Sequence, residues 1–173
     1  MEQNDNVKLI LILYFLFSSS IVMCQIPKNG ADLHVLSNLQ WGMTKQEVKD
    51  RVGNKIETVS DTVLSAQDSL VGSTVTVLLT FSLNSSTYGL NFIEVDVNDN
   101  NVADKLLNYL KSRYGENYQK QHQEQTKLIF FKLKADSAAW TLETEGVALM
   151  TFWRGDDVIS IRLIYSPKQR KTK

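Results

Sequence analysis

The sequence is poor in the groups that most enzyme chemistry requires. Its one cysteine is Cys24, and its two histidines are His34 and His122. One cysteine excludes a disulfide within the chain. Beyond residue 24 there is also no thiol nucleophile and no cysteine-based zinc site. Neither histidine stands beside a serine, cysteine or aspartate in a recognisable catalytic order. Both read as solvated residues, His34 in a leader and His122 in a glutamine-rich loop. Charge of one sign is missing too: 19 basic and 19 acidic residues give a formal net charge of +0. No general electrostatic pull toward nucleic acid or an anionic membrane follows. Nothing in the sequence asks for a cofactor.

What is present is enough for one core. Hydrophobic residues at 43% and charged residues at 22% lie in the globular range, which excludes disorder of the whole chain. A length of 173 residues suits one domain and is short for two. Without a disulfide, that domain must be held by its core.

The N-terminus reads as an export signal over residues 1–24. Lys8 precedes the apolar run Leu9 to Phe17, and Ser18, Ser19 and Ser20 follow. A membrane-spanning helix needs about 20 apolar residues, and this run is shorter. Cleavage between Cys24 and Gln25 places Val22 and Cys24 at the positions that the peptidase reads. It also removes Glu2, Asp5 and Lys8, leaving a mature charge of about +1. Ile21-Val22-Met23-Cys24 also has the outline of a bacterial lipobox, in which Cys24 would carry lipid. The protein is therefore expected to be periplasmic or secreted, or anchored in the envelope through Cys24, and to meet a membrane only in that second case.

Residues 25–38 are expected to be a flexible leader, broken by Pro27, Asn29 and Gly30. The domain is expected over 39–166, with a basic tail at 167–173. Thr44-Lys45-Gln46-Glu47 is a capping box, and Val48 and Val52 share one face of the helix it opens; Gly53 stops it. A second helix is expected over 101–114, with Val102, Ala103, Leu106, Leu107, Leu110 and Tyr114 as its apolar stripe. Alternation predicts strands at 74–83 and 88–97 with a turn between, and a weaker strand at 56–66. Residues 116–126 read as a polar loop. Four more strands are expected at 127–134, 137–143, 146–153 and 157–165, with Arg154-Gly155-Asp156 as a hairpin turn. Short connections imply antiparallel pairing. The expected fold is α+β: one antiparallel sheet with two helices packed on one face, the other face left open.

Each polar cluster has a plain reading. Asp96-Val97-Asn98-Asp99-Asn100 begins like a calcium loop, but Asn101 replaces the required glycine and Leu107 the required glutamate. It reads as a strand end running into a helix cap. Asp156-Asp157 reads as a solvated turn. Glu94 and Asp96 share a strand face at about 7 Å, a spacing that glycosidases use; no surrounding signature accompanies them. Asn84-Ser85-Ser86 is a glycosylation sequon with meaning only in a eukaryotic host. The cations Lys168, Arg170, Lys171 and Lys173 read as a solubilising tail. Trp41, Trp140 and Trp153 are core residues or, if on the open face, binding anchors. Tyr88, Phe130, Trp140 and Phe152 are the candidate interaction patch.

Two motifs carry a resemblance. Trp41-Gly42-Met43-Thr44-Lys45-Gln46-Glu47-Val48, closing at Val52-Gly53, resembles the opening of small bacterial envelope domains of the SmpA/OmlA-like and β-lactamase-inhibitor-protein-like kind. Leu106 to Gly115 resembles a helix ending in related exported proteins of unknown function. The resemblance implies an exported, non-enzymatic domain of the cell envelope that binds an envelope protein. It also implies, as an alternative, an outer-envelope assembly accessory. A hydrolase using Glu94 and Asp96 is the remaining expectation.

Overall fold

The computed structural model describes residues 33–84, 87–128, 131–143 and 145–168; the side chains at 83–87 and 124–132 are not described. The proposed signal peptide, Cys24 and Phe130 lie outside the described residues.

The core of the fold follows from strand alternation. Helix α1 spans Lys45–Val52, β1 Ile56–Ser60, β2 Val63–Leu70, β3 Ser73–Asn84 and β4 Thr87–Val97. Helix α2 spans Ala103–Tyr114, and β5 Gln119–Leu128, β6 Phe131–Thr141, β7 Glu145–Arg154 and β8 Asp157–Pro167 follow. All eight strands form one sheet in the order β1-β2-β3-β4-β8-β7-β6-β5, and every neighbouring pair is antiparallel. Two four-stranded meanders thus meet where β4 pairs β8, Val95 opposite Leu163. Helix α2 carries the chain from β4 to the far edge, where β5 begins.

One set of alternating residues is buried: Val75, Val77, Leu79 and Phe81 in β3, Ile93, Val95 and Val97 in β4, Val147 and Leu149 in β7, and Ile161, Leu163 and Tyr165 in β8. They form one cluster with Val48 of α1 and Leu106 and Leu110 of α2. Full burial of one such side chain contributes roughly 1.5–3 kcal/mol, so a disulfide-free chain of this size holds together through this cluster.

The capping box forms as its sequence predicts. The Thr44 side chain accepts from the Glu47 amide, and the Thr44 amide donates to Glu47 Oε2 at 2.7 Å. This bonding holds the exposed Glu47 carboxyl below its ordinary pKa. The β2–β3 turn has Val71 and Gly72 at φ 48° and 87°, the left-handed pair that lets a two-residue hairpin follow the sheet twist.

Several expectations need correction. Residues 116–126 are not a polar loop: Gln119–Leu128 is an edge strand paired with β6. The expected strands at 127–134 and 137–143 do not exist as units; β6 runs on from 131 to 141 and joins the second half of the one to most of the other, while residues 127 and 128 end β5. The weak strand at 56–66 is a hairpin of β1 and β2. Residues 33–38 are no loose leader. Leu33, Val35 and Leu36 are buried around a single helical turn, His34–Leu36, and the Val35 amide donates to Asp68 Oδ2 at 2.9 Å.

Candidate functional site

The second set of alternating residues makes the other face of the sheet. Thr76 and Leu78 of β3, Phe92, Glu94 and Asp96 of β4, Ser160, Arg162 and Ile164 of β8, and Ala148, Met150 and Phe152 of β7 all retain exposure. At its middle lies Arg162. Its Nη1 stands 3.0 Å from Glu94 Oε1, its Nε 3.3 Å from Asp96 Oδ1, and its guanidinium 5.8 Å from the centre of the Phe152 ring. The register explains the arrangement, since Asp96 pairs directly with Arg162 and Glu94 with Ile164. The two carboxylates that the sequence offered as a hydrolytic pair are thus both engaged by one guanidinium.

Beside this charge cluster runs a groove of about 460 Å³ at the β7–β8 hairpin end of the sheet, lined by Leu133, Ala135, Phe152, Trp153, Ile159 and Arg162 among others. Leu133 and Ile159 are 41% and 43% exposed, a poor position for two large aliphatic side chains unless something covers them. A bulge between Phe152 and Trp153 opposite β8 shapes this end; bulges commonly re-aim side chains beside sites.

Of the four residues expected to form a patch, Phe152 lies in this groove and Tyr88 is exposed at the β3–β4 hairpin end. The β4–β8 and β7–β8 registers put that end away from Phe152. Phe130 is outside the described residues. Trp140 is not on the open face. It is 2% exposed, donates from Nε1 to the Gly115 carbonyl at 2.8 Å, and stacks between Tyr114 and Tyr118 at 6.1 and 5.1 Å. Its inward position follows from β6 pairing, which sets it opposite the buried Val147. Trp41 is buried as well, while Trp153 is partly buried with its Nε1 out of reach of a hydrogen-bond partner.

The sequence reading missed a buried acid. Glu145 opens β7 and is 0% exposed, with neither carboxylate oxygen hydrogen-bonded. Burial raises its carboxyl to about 7; the Trp41 indole N–H draws it partly back, although no hydrogen bond closes between them. Around it stand Tyr114 and Tyr165, whose hydroxyls burial pushes above the ordinary tyrosine value. Counting back by two from the buried Val147 gives the inward position of Glu145, so alternation alone could have found it.

The two histidines stand apart. His34 lines a smaller polar pocket with Arg51 and Asp68, and His122 Nδ1 lies 2.5 Å from Asp136 Oδ1 on the β5 edge. Among the described residues, no group of three His, Cys, Asp or Glu could hold a metal ion, and no helix is long and apolar enough to cross a membrane. The chain matches no family model, no curated protein and no solved structure.

Proposed function

We propose that this chain is an exported, non-enzymatic binding module of the bacterial cell envelope, which docks a protein partner on the sheet face opposite its two helices. The observation that carries this reading is the exposed groove of Leu133, Phe152 and Ile159 beside Arg162. Aromatic and arginine side chains at the centre of an apolar patch are the usual anchors of protein interfaces. Both helices contribute buried residues to the cluster on the other face, which leaves this face for a partner. The engagement of Glu94 and Asp96 by Arg162 favours a charged rim over a hydrolytic pair.

The test is site-specific photocrosslinking in the native host. A crosslinker at Ile159 is expected to give one discrete protein adduct, absent with the crosslinker at Lys49 of α1 and lost when Arg162→Glu is added. Equal adducts from Ile159 and Lys49, or indifference to Arg162→Glu, would overturn the docking face. Intact mass of the recovered protein tests the export: a start at Gln25 marks a free domain, and an acylated Cys24 a tethered one.

A further inference from the structure

The strand that the sequence hid, β5, ends the sheet, and among the described residues nothing pairs with its outer edge. It is ten residues long, free of proline and glycine, and in unbroken register with β6 from Gln119 to Gln125. An edge of this kind templates pairing with another strand unless the protein blunts it. The opposite edge is blunted. Strand β1 has five residues, its register shifts between Thr58 and Ser60, and Lys45 Nζ occupies the Ser60 and Asp61 carbonyls at 2.7 and 3.3 Å.

What β5 has instead is a symmetric order of residues. Gln119-Lys120-Gln121-His122-Gln123-Glu124-Gln125 reads the same in both directions about His122, except that a cation on one side answers an anion on the other. We infer that β5 is a self-association strand, through which two copies of this chain pair antiparallel about a two-fold axis at His122. In that register Lys120 of each copy stands opposite Glu124 of the other, Gln121 opposite Gln123 and Gln119 opposite Gln125. Two-fold interfaces are self-complementary by construction, so the one favourable pair occurs twice. Other registers lose this match. Centring the axis on Lys120 sets lysine against lysine, centring it on Glu124 sets glutamate against glutamate, and like charges directly opposite are destabilising. At the axis each His122 keeps Asp136 of its own β6 as partner.

An axis perpendicular to the sheet keeps equivalent faces on one side. Gln119, Gln121 and Gln123 lie opposite Ala139, Ser137 and Ala135 of β6, in the rows of the open face. Pairing therefore joins two eight-stranded sheets into one and sets their open faces side by side. This inference rests on the edge strand and holds whatever the open face binds.

Sedimentation equilibrium of the purified chain tests it. The wild type is expected to show a concentration-dependent monomer–dimer equilibrium. Lys120→Glu alone and Glu124→Lys alone each replace two attractive facing pairs with two repulsive ones, and each is expected to weaken the dimer about 10- to 100-fold. The double variant restores the wild-type affinity, and so does an equimolar mixture of the two single variants, because only the heterodimer again opposes unlike charges. Circular dichroism checks that each variant is folded, and rescue in the mixture excludes misfolding as the cause of loss. A wild type that stays monomeric at about millimolar concentration overturns the inference. So do single variants that dimerise like the wild type, or a mixture no tighter than its components.

Discussion

Gly89 of β4 and Gly42 of the segment before α1 lie backbone against backbone: a methyl group on Gly89 would stand 2.6 Å from the Gly42 carbonyl carbon. The closeness is what lets the Gly42 amide donate to the Leu90 carbonyl and the Leu90 amide to the Met43 carbonyl, both at 2.8 Å. Gly89→Ala is therefore expected to push the two segments apart and cost about 2–4 kcal/mol, from overpacking and the strained hydrogen bonds. Gly42→Ala meets open space and has only its positive φ to answer for, a cost of about 1–2 kcal/mol. Urea unfolding of both variants checks the order. A Gly89→Ala no worse than Gly42→Ala would mean that the contact is not rigid.

Trp140 ties β6 to the end of α2 through its hydrogen bond to Gly115. Trp140→Phe keeps most of the ring stacking and loses the donor, with an expected cost of about 1–2 kcal/mol. Trp140→Ala empties the site between Tyr114 and Tyr118 and is expected to cost about 3–5 kcal/mol. Tryptophan fluorescence and thermal unfolding read both. A neutral Trp140→Ala would show that the end of α2 does not depend on β6.

Arg162 holds two acids that share one face of β4. Arg162→Ala is expected to cost about 1–2 kcal/mol, since exposed ion pairs are each worth little but this guanidinium also faces the Phe152 ring. A double-mutant cycle with Glu94→Gln isolates the shorter contact. The coupling should shrink in 1 M salt, where screening acts over about 3 Å. Coupling unchanged by salt would argue for packing of the arginine stem as its source.

How much of this was legible in the sequence depended on periodicity. The capping box at Thr44 and Glu47, the stripe of Leu106 and Leu110, and the strands around Val77, Val95 and Leu163 each announce themselves locally, and each forms about where its pattern puts it. Strand β5 does not, because Gln119 to Gln125 offers no apolar alternation: an edge strand whose residues 119–123 are exposed on both faces has no buried side there to write one. The break between β5 and β6 was hidden for the opposite reason, in the continuous apolar run around Phe131. Leu33 and Leu36 were hidden by the glycine and proline before them, and Trp140 by ambiguity, since a tryptophan in a strand suits either face until its partner Val147 is known. At the site, Phe152 and the Glu94–Asp96 spacing were readable, whereas Arg162 became central only through the β4–β8 register, which pairs residues 66 positions apart.

Glu145 gives the domain a stability that depends on pH with a definite sign. Burial raises its carboxyl to about 7 in the folded protein, from the 4.5 of an exposed glutamate in the unfolded chain. Below about pH 4.5 it is protonated in both states and adds no pH-dependent penalty. Between 4.5 and 7 the unfolded chain releases the proton while the folded protein keeps it, so the unfolded state binds fewer protons and stability falls as pH rises. Above 7 the penalty is complete, on the order of 3 kcal/mol. The phenols of Tyr114 and Tyr165 beside it do not ionise in this window, because burial pushes both upward. Glu145→Gln carries no titrating group, so subtracting its stability curve from that of the wild type isolates this acid from every other carboxyl. The difference is expected to grow by about 3 kcal/mol in favour of Glu145→Gln between pH 4.5 and 8. Curves that run parallel across that range would mean that the carboxylate reaches water or a cation when charged, and that Trp41 and β7 open to admit it.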